Sequence, residues 1–209
     1  FVPGEGRQEG ARVESAPLML PDPVPLDALR RALVIKLRHH GDVLLTTPVF
    51  SALKHAAPQC EIDALIYAET APMLAYHPAI AQIHAIDRSW KRQGILRQTA
   101  AEWRLLTALR SRRYDLVVHL TTHPRGAWVA RLTQVRWSVA PRENRFYWKG
   151  SFSHFYPRAS DERRHTVESN LDALRRIGIQ PAENDKRLCL VPGVAADARV
   201  DELLAGHNL

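Results

Sequence analysis

The chain has 209 residues, 45% of them apolar, 24% charged and 7% aromatic, which is the composition of a globular protein and excludes a disordered, collagen-like or disulfide-dense one. Its two cysteines, Cys60 and Cys189, are far apart and form no Cys-x-x-Cys, so neither a disulfide framework nor a thiolate zinc site is supported and a reducing compartment fits best. The net charge is +7, yet residues 88–164 alone hold 17 basic and 5 acidic side chains. Such a block attracts polyanions, and its arginines carry the planar fork that suits phosphate and carboxylate.

Residues 1–29 open on Phe1 rather than Met, with Gly4, Gly6 and Gly10 followed by Pro17, Pro21, Pro23 and Pro25. They predict a disordered leader without the basic start and apolar core of a signal peptide, on a chain that reads as a fragment. No apolar run approaches the roughly 20 residues needed to span a bilayer, and a cytoplasmic protein is expected. The run 32–37 (ALVIKL) predicts a buried strand that ends in the tight turn Arg38-His39-His40-Gly41-Asp42. A helix over 43–55 should follow, with Asp42 as its N-cap and Pro48 shortening or kinking its first turn. Strands are predicted at 61–67 and 81–86, with a short helical piece at 70–76 between them.

The longest helical pattern covers 96–112 and places Trp103, Leu105, Leu106 and Leu109 on its apolar side, so Trp103 is expected to pack the helix onto the sheet. Further on come a strand at 115–120 in which His119 reads as a hydrogen-bonded core residue, a helix at 125–133 and a strand at 135–140. The Arg- and aromatic-rich segment 141–156 shows no period. A last helix over 166–177 stops at Gly178; His165 begins it, and Glu168 sits as a capping partner of Thr166. Strands alternating with helices predict an α/β, Rossmann-like parallel sheet with helices on both faces. The loops at 38–42, 67–71, 87–93 and 120–125 should then share the rim where ligands bind.

On that rim, Gly41 stands alone where a dinucleotide site would carry Gly-x-Gly-x-x-Gly, and no phosphate-binding P-loop exists. A carboxylate at this turn either caps the helix or takes a proton from a hydroxyl held nearby, and capping alone explains an Asp here. The ten histidines form no His-Glu-x-x-His and there is no Asp-x-Asp, so no metal site is expected. The pI near 9.8 and the Arg/aromatic segment leave open a basic nucleic-acid- or anionic-surface-binding module without catalysis, although no recognised nucleic-acid-binding pattern appears.

The stretch Lys36-Leu37-Arg38-His39-His40-Gly41-Asp42-Val43-Leu44-Leu45-Thr46-Thr47-Pro48 resembles the first loop of the ADP-heptose:lipopolysaccharide heptosyltransferases, glycosyltransferase family nine, and its His-His-Gly-Asp wording the heptosyltransferase III branch. The similarity continues through 61–67, Glu69-Thr70-Ala71-Pro72-Met73-Leu74, Asp87-Arg88-Ser89-Trp90-Lys91, Arg113-Tyr114-Asp115-Leu116-Val117, Arg136-Trp137-Ser138-Val139-Ala140 and His165-Thr166-Val167-Glu168-Ser169-Asn170-Leu171, or roughly residues 30–180.

This resemblance implies the acceptor half of a two-domain GT-B enzyme, with an N-terminal domain at 30–182 and a linker at 183–209 leading to an ADP-heptose-binding domain outside this chain. It implies inverting, metal-independent heptose transfer without a cofactor and Asp42 as the base that activates the acceptor hydroxyl. The fragment alone is expected to be inactive. The acceptor would be inner-core lipopolysaccharide (Kdo-lipid A bearing heptose), gripped by Lys36, Arg38, His39, His40, Gly41, Arg88, Lys91, Arg92, Arg125 and Arg142. Peripheral contact with the inner membrane fits the basic face, where Arg142 and Arg145 with Phe146, Tyr147, Trp148 and Phe152 either extend the acceptor surface or meet the membrane interface; no nucleic acid is then expected.

Overall fold

The structure is a computed structural model that describes residues 22–92, 94–157 and 164–206, with only the backbone of Lys91 and Arg92. Six parallel strands build it: β1 (Arg31–Ile35), β2 (Glu61–Tyr67), β3 (Gln82–Ile86), β4 (Leu116–His119), β5 (Trp137–Pro141) and β6 (His154–Tyr156). They lie in the order β3-β2-β1-β4-β5-β6. The α-helices among the described residues are α1 (His40–Leu44), α2 (Thr47–Ala56), α3 (Ile95–Ser111), α4 (Pro124–Thr133), α5 (Phe146–Lys149), α6 (Thr166–Arg176) and α7 (Val194–Gly206).

The strands are apolar nearly throughout because both faces of the sheet are covered. Along β1, Ala32 and Val34 join one core while Leu33 and Ile35 join the other, and Leu116, Val117 and Val118 alternate the same way in β4. The first face is closed by Val49, Phe50 and Leu53 of α2 with Val167, Leu171 and Leu174 of α6. The second is closed by Leu109 of α3, by Ala127, Val129 and Ala130 of α4, and by Trp148 and Phe152.

Several expectations change. The segment 141–156 forms α5 and a sixth strand, β6, where the sequence showed no period. The helix expected over 43–55 is two helices broken at Leu45-Thr46, with Pro48 in the first turn of the second. Asp42 lies inside the first turn of α1 and does not cap it; His39 holds the N-cap position without a side-chain bond. Trp103 does not pack α3 onto the sheet but is 70% exposed.

At α6 the His165 ring accepts from the Val167 amide as the cap, whereas Glu168 pairs with Arg175 instead of completing a capping box. Gly178 follows that helix at φ +100°, a left-handed conformation that glycine adopts without strain. Of the expected leader, residues 1–21 lie outside the described residues, but 22–29 are tied down: the Val24 amide donates to Ile177 O at 3.0 Å and Arg176 holds Asp22 through both guanidinium nitrogens. Beyond 182, Asp185 pairs with His55 of α2 and the Cys189 amide donates to Thr47 Oγ1, while the side chains of α7 stay exposed.

Candidate active site

The chain runs outward from β1 to β3 on one side and from β4 to β6 on the other, so the topology reverses between β1 and β4. In a parallel sheet this reversal opens a crevice at the carboxyl ends of the strands. Asp42 follows β1, Arg88 follows β3 and Arg125 follows β4, which puts the three on that one rim, as the alternation of elements predicts.

A cavity of about 300 Å³ opens there, lined by Tyr67, Ile86, Asp87, Arg88, Trp90, Glu102, His123 and Arg125. Two candidate arginines thus converge on one hollow, each held by a carboxylate. Arg88 pairs with Glu69 at 3.3 Å and stacks 4.0 Å over the Tyr67 ring; Arg125 pairs with Glu102. Asp87 shapes the turn that carries Arg88, accepting from the Ser89 amide and hydroxyl at 2.7 Å each. The sequence reading had not assigned Tyr67, Trp90, Glu102 or His123 to a site; position at a strand's carboxyl end was the available signal for Tyr67 and His123.

The first loop reaches the carboxylate residue that holds Arg88. His40 Nε2 lies 2.7 Å from Glu69 O, and the Glu69 carboxylate is the partner of Arg88. Arg38, His39, His40 and Gly41 are exposed, and a Cβ on Gly41 would meet open space. The Asp42 carboxylate is half-buried and, among the described residues, engages no hydrogen bond or ion pair.

Lys36 departs from its expected role as an acceptor ligand. It is 5% exposed and turned inward, with Nζ donating to Asn170 Oδ1 at 3.0 Å and to Leu120 O at 3.4 Å. Burial pushes its ammonium down to about 8, against the attraction of the Asp42 charge, with Arg38 adding to the depression. Asn170 also donates to Leu45 O at 2.9 Å, the carbonyl at the break after α1, so one α6 side chain secures both ends of the Asp42 loop. Its signal in the sequence is a polar residue on a helical stripe that otherwise buries Val167, Leu171 and Leu174.

Arg142 stands apart from this cluster, exposed beside β6 at a separate depression with Asn144, Lys149 and Phe155. The side chains of Lys91 and Arg92 lie outside the described residues. Among the described residues no group of three or more His, Cys, Asp or Glu could hold a metal ion, and no helix is long and apolar enough to cross a membrane.

No family profile matches the chain. It is 36% identical over 147 residues to lipopolysaccharide heptosyltransferase 3 of Escherichia coli, an alignment that covers 68% of this chain and 42% of that protein. The chain therefore spans well under half the length of this relative. Among solved structures it is similar to a glycosyltransferase family 9 protein of Veillonella parvula, with a TM-score of 0.73 at 21% identity, covering 90% of this chain and 51% of that one. It is also similar to the E. coli heptosyltransferase WaaC solved with ADP, with a TM-score of 0.62 at 19% identity, over 73% of this chain and 49% of that one. The chain is thus homologous to a lipopolysaccharide heptosyltransferase over two thirds of its own length and has the Rossmann-like α/β fold found in glycosyltransferase family 9.

Proposed function

We propose that this chain is the acceptor-binding half of an inverting heptosyltransferase that acts on the inner core of lipopolysaccharide at the cytoplasmic face of the inner membrane. The observation that carries the reading is the 36% identity to lipopolysaccharide heptosyltransferase 3. The rim geometry gives it a chemical form. An acceptor sugar bearing acid groups enters the Arg88–Arg125 cavity, where guanidinium groups meet carboxylate or phosphate through charge-assisted hydrogen bonds. Its hydroxyl donates its proton to Asp42 as the oxygen attacks the anomeric carbon of ADP-heptose; ADP leaves from the opposite face and the configuration inverts. No metal and no cofactor enters this scheme, and the donor is bound chiefly by a domain outside these residues.

The test is binding of heptose-bearing Kdo-lipid A core by the chain, measured by isothermal titration. Arg88→Gln and Arg125→Gln are each expected to weaken binding by about tenfold or more, the scale of one hydrogen bond to a charged group. Equal affinity in both variants, or equal binding of an unrelated polyanion such as heparin, would contradict the assignment.

A further inference from the structure

α3 is 17 residues long, yet Leu109 is its one fully buried side chain. Leu96 is 87% and Trp103 70% exposed on its outer face, and Trp128 of the neighbouring α4 is 57% exposed. Spacings of seven residues on α3 (Leu96, Trp103) and four on α4 (Trp128, Leu132) align these groups along each helix axis. Between the helices lies a cleft of about 210 Å³ walled by Trp103, Leu106, Trp128 and Leu132. Among the described residues, the charged ones in its wall are Glu102 and Arg125, which pair with each other and also line the rim cavity.

Arginine borders this apolar surface. Arg97, Arg104 and Arg110 on α3 and Arg131 on α4 are exposed, and among the described residues none of the four is in an ion pair. Glu102 is the only acidic residue on either helix. An apolar, Trp-bearing strip flanked by cations on helices lying side by side fits the headgroup–acyl boundary of an anionic bilayer. A second copy of the chain would instead bring arginines face to face, which like-charge repulsion opposes.

We infer that the outer face of α3 and α4 docks on an anionic phospholipid surface. Because Glu102 and Arg125 belong to both hollows, docking there sets the mouth of the rim cavity next to the lipid. That orientation serves a lipid-anchored acceptor, and this last step alone rests on the function proposed above. The surface differs from the 141–156 segment that the sequence had suggested for membrane contact.

The test is co-sedimentation of the chain with vesicles of phosphatidylethanolamine and phosphatidylglycerol, compared with phosphatidylcholine alone, at low and high salt. Binding is expected to the anionic vesicles and to fall with salt. Trp103→Ser combined with Trp128→Ser should weaken it roughly tenfold or more, with the melting temperature unchanged because both rings are exposed. Arg97→Gln with Arg104→Gln should weaken it as well, whereas Arg187→Gln with Arg199→Gln, an equal loss of charge elsewhere, should weaken it distinctly less. The proposal is overturned if the wild type ignores anionic vesicles, if the tryptophan variant binds as the wild type does, or if the charge variants are indistinguishable. It is also overturned if the tryptophan substitutions dissociate a wild-type dimer without changing vesicle binding. Sedimentation reads the surface independently of catalysis, so a failed transfer assay would refute the proposed function and leave this result standing.

Discussion

A lysine ammonium held in an apolar interior must be solvated by protein groups, and Asn170 and Leu120 O do this for Lys36. The sign of its pH dependence follows. The folded chain releases this proton near 8 and the unfolded chain near 10.5, so across that interval the unfolded state binds more protons and stability rises with pH. Urea midpoints of wild type and Lys36→Met measured from pH 7.5 to 10.5 should therefore show the wild type gaining on the variant as pH rises; a constant difference would contradict the buried ammonium. Asn170→Ala leaves that ammonium and Leu45 O short of a partner and is expected to cost about 1–3 kcal/mol by the same measurement. At this scale the sequence singles out Asp42 through its turn and its resemblance, and it assigns Lys36 to the acceptor, whereas Lys36 faces the interior. The reason is distance along the chain: nothing local to Lys36 shows that a residue 134 positions away will face it.

Elements were legible where hydrophobic period and length were clear. β2 spans the residues its pattern predicts, whereas β6, only three residues long at the sheet edge, has too few side chains to show a period. Trp103 was misplaced for an angular reason: it lies six residues from the buried Leu109, roughly 120° around the helix, so the apolar residues of α3 do not share one face.

Two contacts between elements set the packing that the site rests on. His119 is fully buried, stacked on Phe152, and burial holds its imidazole at about 3, which keeps it neutral. A Cβ on Gly126 of α4 would overlap that ring, so Gly126→Ala is expected to destabilise the fold by about 1–3 kcal/mol in denaturant melts. Within the sheet, Asp63 of β2 is fully buried. Its burial would raise the carboxyl, but hydrogen bonds from His84, Arg112 and Tyr114 outweigh this and hold it below the usual carboxylate range. Asp63→Ala removes the acceptor of the buried Tyr114 hydroxyl and leaves Arg112 without its main partner, and a loss of about 3–5 kcal/mol is expected in the same melts.

At the scale of the whole molecule, strand–helix alternation fixes a parallel sheet, and its reversal between β1 and β4 fixes the place of the crevice. That much follows from element order, and it is why Asp42, Arg88 and Arg125 lie on one rim although 83 positions separate the first from the last. The +12 charge block was visible as well, yet composition could not divide it: Arg112 braces Asp63 and Glu61, Arg125 lines the cavity, and Arg97 and Arg104 face outward. Three-dimensional placement sorts arginines that sequence sees as one block.

The most direct test of the account is heptose transfer from ADP-heptose to heptose-deficient core acceptors, with the chain expressed in its full reading frame as wild type and as Asp42→Asn. The account predicts transfer by the wild type, and for the variant a kcat lower by about 10²–10⁴-fold with acceptor KM little changed, the signature of a lost general base. A wild type that transfers no heptose to any core acceptor, or an Asp42→Asn enzyme of undiminished kcat, would contradict it.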